Sequence, residues 1–442
     1  MRQLPSRSCE ACPLKLPERG AALVIVLLIM GIMLLLGTTF MTISSTETQI
    51  AFNERNAIQA FYLADAGLNK TLSDLNAGAI CSSLSDVPLG SGTFTRTVNW
   101  GATLDQRIIE STGYVPNSTS ASKAQAKVKV TLKGSLFNTA LFGGNSTGTT
   151  LDIGENSVVD SYDSSQGAYN PSTPGTKAEI GSNANITLKS GATVKCNAVA
   201  RETITKQSGA SVTGVETPNA FSTPVTLPPV SFTFPSGSNV TVHDNDTVTL
   251  NPTSFPASYG KLDVGERGTI VLAPGTYSFY KDGDLSIKLE KEATMRISPA
   301  GQVKIYINGK LDLKKEAMVN VNADGSAGLP TNLLIYSCYG ASYVPCTGEG
   351  DGVSSDKDLG FFGAIYAPST DIRIARTTET SDPSFGIFGS LIGRKVTLDR
   401  DSKVHFDAAL LKLAPCDTSS GSNPPCPYKP KAGTWQEVLP SS

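Results

Sequence analysis

The feature that most constrains this chain is an uninterrupted apolar segment near its N-terminus. Residues 20–37 read GAALVIVLLIMGIMLLLG, without a charged residue or a proline. Such a segment is at the short end of the roughly 17 to 25 residues that span a bilayer, and apolar residues up to Ile43 extend it. No proline follows before Leu75, so the pattern predicts one continuous helix from Ala21 to about Leu75. Its first part, residues 21–54, is the predicted membrane-spanning stalk.

The twenty residues before the helix form a basic leader. Basic residues outnumber acidic ones there, with Arg2, Arg7, Lys15 and Arg19 against Glu10 and Glu18. Positive charge favours the cytoplasmic side, which predicts a cytoplasmic N-terminus and an exported body. A secretory signal peptide is cut after its apolar region, but here the small residue Gly20 precedes that region. A cut at this point leaves the apolar segment on the mature protein. The alternative is an ordinary signal anchor.

The residues around this junction carry a family resemblance. Arg19-Gly20-Ala21 with the Leu-rich run after it, and the later stretch NERNAIQAFYLADAGL at 53–68, resemble the N-terminus of PilX-type minor pilins and K-type pseudopilins. The resemblance implies that prepilin peptidase cuts between Gly20 and Ala21, with methylation of the new amine. It also places Ile25 at the fifth mature position, where most major pilins have Glu. That departure implies a special place in the filament, such as the tip.

Gly31 and Gly37 interrupt the apolar run of the membrane segment, where glycine is tolerated and permits close helix packing. Beyond that segment, apolar residues recur at intervals of three and four. This spacing predicts one packing face, formed by Ile58, Phe61, Leu68, Leu72 and Leu75, with Ala51 and Asp65 on the same side. In pilins this face packs on an antiparallel sheet. Strand patterns at 93–100, 107–114 and 124–132 supply one, which predicts a small pilin-like module over residues 55–135.

Residues 136–414 read as short strands separated by Gly, Asn and Asp turns. Segments starting at Gly260, Gly283 and Gly309 align with one another as strand, polar turn and strand. A period in the twenties predicts a solenoid, here a right-handed parallel β-helix-like head. An irregular β-sandwich is the alternative. The runs 360–368 and 386–393 are expected to be closing coils, and the proline-rich stretch 215–236 a long loop that interrupts the solenoid. We expect an extended tail over 415–442, anchored by Trp435.

Eight cysteines are present, and Cys9 and Cys12 lie in the leader. An even set of six in an exported body is consistent with disulfides. Cys338–Cys346 and Cys416–Cys426 are the local pairs, which leaves Cys81–Cys196 by elimination. Six cysteines permit fifteen pairings, so this connectivity is a preference.

Catalytic and metal-binding patterns are weak. The G-x-S-x-G match at 144–148 needs a strand before it and a helix after it, and neither is predicted. His243 and His405 are the only histidines, too few for a histidine-based metal site or an evident triad. Asx-rich turns at 243–246, 282–284 and 322–325 offer oxygen ligands for calcium, but turn formation explains them equally well. We therefore expect no enzyme, no cofactor and no metal.

Together these patterns predict an α+β protein that acts as a structural, tip-type minor pilin in type IV pilus assembly, surface presentation or adhesion. The expected partners are the inner membrane, prepilin peptidase, other major and minor pilins and a large tip adhesin. The net charge is −2 and the sequence shows no basic stripe, so nucleic acid is not expected. The predicted location is the bacterial inner membrane before assembly and the periplasm or surface pilus afterwards. The alternatives are a pseudopilin of a type II secretion system and a membrane-tethered β-helix enzyme acting on polysaccharides.

Overall fold

The computed structural model describes residues 21–78, 84–252, 254, 256–339, 350–377, 384–413 and 428–438. One long helix is followed by a small antiparallel sheet and a large parallel sheet. The predicted α+β class is confirmed. The handedness of the coils stays a prediction.

Helix α1 spans Ala21–Asn76. At about 1.5 Å per residue it is roughly 80 Å long. It ends where Gly78 adopts a φ of +81°, a conformation that is accessible to glycine and terminates helices. The single continuous helix predicted from the absence of proline is confirmed.

The small sheet is an antiparallel meander that packs against the C-terminal part of α1. Its consecutive strands are β1 (Leu84–Leu89), β2 (Gly92–Trp100), β3 (Gln106–Val115) and β4 (Ala124–Lys133). Along β3, buried and half-buried residues alternate, as they do when one face of a sheet covers a core. Ile109 and Val130 on that face join Ala64 and Leu68 of the helix in one buried cluster.

The C-terminal tail returns to this same sheet. Strands β31 (Lys429–Pro430) and β32 (Gln436–Val438) both pair antiparallel with β4. Trp435 lies edge-to-face with Phe61 of the helix, with ring centroids 5.9 Å apart. The solenoid is therefore inserted between β4 and the strands that complete the small sheet.

The solenoid consists of short parallel strands. Its first part contains β5 (Leu141–Gly143), β6 (Thr149–Ile153), β7 (Val158–Tyr162), β8 (Ile180–Ser182), β9 (Asn185–Leu188), β10 (Thr193–Val194), β11 (Ala198–Ala200), β12 (Ile204–Lys206), β13 (Ser211–Val212) and β14 (Glu216–Thr217). Its second part contains β15 (Val240–Val242), β16 (Thr247–Leu250), β17 (Ala257–Tyr259), β18 (Leu262–Val264), β19 (Thr269–Leu272), β20 (Gly275–Phe279), β21 (Leu285–Leu289), β22 (Thr294–Ile297), β23 (Val303–Ile307), β24 (Lys310–Leu313), β25 (Met318–Val321), β26 (Leu333–Ser337), β27 (Asp351–Ser355), β28 (Gly360–Ile374), β29 (Gly386–Leu398) and β30 (Lys403–Asp407). Two 3-10 turns, Pro330–Asn332 and Ala408–Lys412, accompany the second part.

Most strands pair with the strand three positions along the chain, so three short strands form one coil. Leu262, Ile287 and Leu311 stand in register across three coils and point into the shared core. Aligning the segments that start at Gly260, Gly283 and Gly309 predicts Leu285 beside Leu262 and Leu311. That prediction was wrong by two residues, since Ile287 occupies the position. A bulge between Leu285 and Ile287 shifts the register, and the buried Ser286 hydroxyl accepts a hydrogen bond from Gly309 N at 2.8 Å.

The coils are not stacked in chain order. Strand β29 pairs with β28 on one side and with β5 and β6 on the other, and β30 pairs with β7. The first coil of the head therefore lies on its last coil. The prediction that 360–368 and 386–393 close the stack was wrong: they lie in its interior, because the coils before 217 extend it further.

The proline-rich stretch connects the two ends of the stack. It runs from the end formed by β14 to the opposite end formed by β15, and packs along the coils between them. Val225 exchanges hydrogen bonds with Asn183, the carbonyl oxygen of Pro228 accepts from Tyr366 Oη at 2.5 Å, and Phe232 stacks on Tyr306. We call residues 218–239 the strap.

Candidate assembly interface and its connection to the head

The N-terminal half of α1 protrudes from the body. Every described side chain from 22 to 55 is exposed, and α1 is long and apolar enough to cross a membrane. Its exposed apolar side chains surround the axis rather than forming one stripe, among them Leu23, Ile25, Leu28, Met33 and Phe40. Up to Ile43 the helix is apolar on most sides, which suits burial all round, whereas residues 44–55 are exposed but more polar. We call residues 22–55 the bare half.

Six hydroxyl side chains of the bare half hydrogen-bond to carbonyl oxygens of their own helix. The hydroxyls of Thr38 and Thr39 both donate to the carbonyl oxygen of Leu35, at 2.9 and 2.7 Å. Thr42, Ser45, Thr46 and Thr48 make the same type of bond to carbonyls three or four residues earlier. These internal bonds reduce the cost of placing hydroxyls in apolar surroundings, where an unpaired polar group is expensive.

The predicted membrane residues Ile25, Gly31 and Gly37 lie in the bare half. Ala21 is the first described residue of α1, and Gly20 lies outside the described residues. Ile25 is exposed. A methyl group added at Gly31 or Gly37 would meet nothing within 4 Å, so neither glycine is needed for contacts within the chain. Their packing role remains a prediction about a neighbour.

The C-terminal part of α1, residues 60–76, is docked on the small sheet, and we call it the docked half. Leu68 and Leu75 are buried in the interface, and Phe61 and Leu72 pack at its margin. Ile58 was predicted on the same face but is 50% exposed. The apolar spacing continues about one helical turn towards the N-terminus, past the edge of the sheet. Ile58 therefore lies outside the helix–sheet interface and adds to the exposed surface of α1.

Two glycines allow the helix and sheet to approach closely. A methyl group at Gly113 would lie 2.0 Å from the carbonyl oxygen of Ala60 and 2.7 Å from the amide nitrogen of Ala64. At Gly67 on the helix it would lie 2.3 Å from Ser111 Oγ. Backbone atoms cannot yield as side chains do, so Gly113 sets the spacing between the two layers.

A partly buried charge cluster joins the end of the helix to the sheet. Asp74 accepts from Arg96 Nη1 at 2.5 Å and also pairs with Lys70. Partial burial alone would raise the pKa of Asp74, but the hydrogen bonds and charges of Lys70 and Arg96 outweigh it and hold that pKa below its ordinary value. The ionised carboxylate therefore stabilises the docked half.

A second, deeper charge pair connects the small sheet to the solenoid. Arg107 on β3 is 1% exposed, stacks over Trp100 at 3.8 Å and pairs with Glu179 at 2.7 Å. Trp100 itself belongs to the core cluster of the solenoid. The pair could not be predicted from the sequence, because Arg107 occurs in an ordinary alternating strand and Glu179 lies 72 residues away.

The tail also contributes to this connection. Tyr428 is buried among the residues under the helix, and its amide nitrogen donates to Asn76 Oδ1 at 2.6 Å. Burial raises the pKa of Tyr428 against the opposing charge of Arg107. Together with Arg107 and Glu179, Tyr428 fixes the orientation of the head relative to the stalk.

Two of the predicted disulfide cysteines are described. Cys196 and Cys338 are both disulfide-bonded and 1% exposed. Cys81, Cys346, Cys416 and Cys426 lie outside the described residues. The connectivity therefore remains a prediction.

The described residues do not assemble the catalytic or metal patterns that the sequence offered. The segment 144–148 lies between strands β5 and β6, so no helix follows the serine as a nucleophile elbow requires. His243 lies in an exposed turn, whereas His405 is buried with Asp160 at 2.6 Å. No group of three or more potential metal ligands occurs in the described part of the chain.

The carboxylates of the oxygen-rich turns accept hydrogen bonds. Asp324 Oδ1 accepts from Ser326 N at 3.0 Å within its own turn, which is the turn-forming interpretation. Asp244 Oδ1 accepts from Glu266 N at 2.9 Å and Asp282 Oδ2 from Asn239 at 3.0 Å, and both bonds join segments far apart in sequence.

The geometry thus defines a class of protein: a long N-terminal helix has an exposed apolar part that is suited to a membrane, and its other part carries a small sheet and a solenoid head. Comparison with known families specifies that class further. Residues 19–69 match the family described as PilX N-terminal, and residues 236–413 match a domain of unknown function, DUF7305. The predicted resemblance to PilX-type minor pilins is confirmed by the match over residues 19–69.

Similarity to solved structures and to curated proteins is weak. A solved structure, the competence-associated pilin ComZ from Thermus thermophilus, is 12% identical over 87% of this chain and 96% of that one, with a TM-score of 0.27. A TM-score this low does not indicate a shared fold. None of the curated proteins compared with the chain matches it.

Proposed function

We propose that the chain is a minor pilin that occupies the tip of a type IV pilus and presents its solenoid head to the surroundings. The observation that carries this proposal is the division of α1 into a bare apolar half and a docked half, on a PilX-type N-terminus. The bare half supplies a surface for the membrane before assembly and for other pilin helices afterwards.

The size and attachment of the head favour the tip. A head spanning 141–412 is held to the stalk through the buried Arg107–Glu179 pair and the tail strands on β4. A head attached this rigidly does not swing aside easily, so repetition at every step of a thin filament is sterically difficult. Ile25, which lacks the carboxylate of most major pilins, is consistent with a subunit placed once. At the tip the head would contact surfaces or a large adhesin, with a structural rather than catalytic role.

Processing is the first test. Prepilin peptidase should remove residues 1–20, so the mature protein should begin at Ala21. Gly20→Val should block maturation, with Gly37→Val as the control that leaves processing intact. Mass spectrometry of the purified protein distinguishes the two results. A mature N-terminus beyond Gly37 would contradict the proposal.

Position in the filament is the second test. Immunogold label against the head should decorate filament ends, and deletion of the gene should reduce piliation or adhesion while major pilin synthesis continues. Label along the whole filament would exclude the tip assignment. A loss of protein secretion without a loss of pili would instead favour the pseudopilin alternative.

A further inference from the structure

One corner of the solenoid repeats the same turn in successive coils. Residues with positive φ occupy it in most of them: Asn245, Arg267, Glu292, Glu316, Asp358, Asp401 and Asn156. Backbone hydrogen bonds link these turns from coil to coil, such as Arg267 N to Lys291 O, Glu292 N to Lys315 O and Glu316 N to Lys357 O, at 3.0 to 3.1 Å. The residues that immediately precede these positions, one in each coil, therefore form a line along the stack.

That line carries a cation in five consecutive coils. The five are Lys291, Lys315, Lys357, Arg376 and Arg400, the last two aligned through the β28–β29 register. Neighbouring strands are about 4.8 Å apart, so the row extends over roughly 19 Å. We call it the basic ladder. The sequence alone does not show it, because its members lie 19 to 42 residues apart.

Part of this positive charge is neutralised locally. Lys291 pairs with Glu292 at 2.8 Å, Lys315 with Glu316 at 3.1 Å, and Arg376 with Asp401 at 3.4 Å. At the Arg400 end of the ladder, the positive charge is not neutralised in this way. Arg400 is exposed and has no ion-pair partner among the described residues.

Arg400 borders a cleft of about 420 Å³. Its basic lining residues are Lys189, Lys357, Arg373, Arg376 and Arg400, against the carboxylates of Glu155 and Asp399. Arg373 pairs with Asp399 at 3.3 Å, and Lys189 with Asp152 at 3.2 Å. The cleft keeps an excess of positive charge in a protein whose net charge is −2. We call it the cationic cleft.

The geometry points to an oxyanion ligand. We propose that the cationic cleft binds the carboxylate or sulfate groups of an acidic polysaccharide, with the basic ladder extending the contact along the stack. A guanidinium group can donate two parallel hydrogen bonds to a pair of oxygens of a carboxylate or a sulfate group. A cation every 4.8 Å or so suits a polymer whose charges are spaced similarly to the coils.

Nucleic acid fits less well. No aromatic side chain lines the cleft in the described part of the chain, whereas single-stranded nucleic acid binds largely by stacking on such rings. Duplex DNA carries one charge per roughly 1.7 Å, and the carboxylates beside the ladder would repel so dense an array.

Binding of full-length protein in detergent to fluorescent polygalacturonate and dextran sulfate, measured by fluorescence anisotropy, tests this proposal. We expect binding that weakens as salt rises, with no binding to neutral dextran. Arg400→Glu should weaken binding at least about tenfold. Lys431→Glu makes the same charge change at an exposed tail position and should alter binding less than about twofold.

Circular dichroism should show that both variants keep the fold, and Arg373→Gln provides a milder second change in the cleft. Equal losses in Arg400→Glu and Lys431→Glu would overturn the site, because they would reflect net charge alone. Binding to neutral dextran as tight as to the polyanions would overturn the chemistry. Tighter, Arg400-dependent binding of duplex DNA would overturn the choice of polysaccharide.

Discussion

The two halves of α1 differ in what they leave to other molecules. In the bare half, apolar residues such as Leu28 surround the axis and contact nothing else in the chain. In the docked half, Leu68 and Leu75 face the sheet while polar residues face outward. One continuous helix therefore serves two purposes. The part that packs on the sheet is amphipathic, whereas the first part of the bare half, up to Ile43, is apolar on most sides.

Truncation of one leucine in each half should separate these roles most strongly. Leu68→Ala removes a buried side chain from the interface and should lower the free energy of unfolding by about 2 to 5 kcal/mol. Leu28→Ala should change it by less than about 0.5 kcal/mol. Denaturant unfolding in detergent, followed by the fluorescence of Trp100 and Trp435, measures both. A comparable loss in Leu28→Ala would mean that the bare half packs on the body.

A glycine pair sharpens the comparison. Gly113→Ala forces a methyl group against the backbone of Ala60 and should destabilise the protein by about 1 to 3 kcal/mol. Gly37→Ala adds the same methyl where nothing lies within 4 Å, and should leave unfolding of the body unchanged. Its effect should appear in the assembled filament, if close helix packing occurs there. Unaltered stability of Gly113→Ala would show that the two layers can separate at little cost.

The smallest effect concerns pH at the end of the docked half. The pKa of Asp74 is lowered in the folded protein, so its contribution to stability is complete above the unfolded pKa near 3.8. It is lost as pH falls through the lower folded value. Asp74→Asn should cost about 1 kcal/mol at pH 7, and less at pH 3. Unfolding curves at both pH values check this, and an equal cost at both would contradict it.

The structural elements that could be predicted from the sequence are those that depend on local residue patterns. The helix, three of the sheet strands and the coil repeats each follow from periodicity within a few dozen residues. The strap, the stacking of β5 on β29 and the return of the tail to β4 could not be predicted. Each depends on contacts between residues far apart in sequence, and their local patterns fit several topologies equally well.

The same limit applies to the functional surfaces. The bare half could be recognised because its apolar run is contiguous. Ile58 was placed on the wrong surface because spacing does not show where the sheet ends. The basic ladder needed the coil register, since Lys315 and Lys357 lie 42 residues apart and become neighbours only when their coils stack.

The position of the strap has a mechanical consequence. The chain enters the solenoid at β5 and leaves it at β30, and both lie within the stack. Neither outermost coil is a free chain terminus, because the strap joins one to the other. A load applied between the head and the filament is therefore carried by interior coils, which have neighbours on both sides. Peeling from an end, the easiest way to unravel a linear stack, has no loose terminus from which to begin.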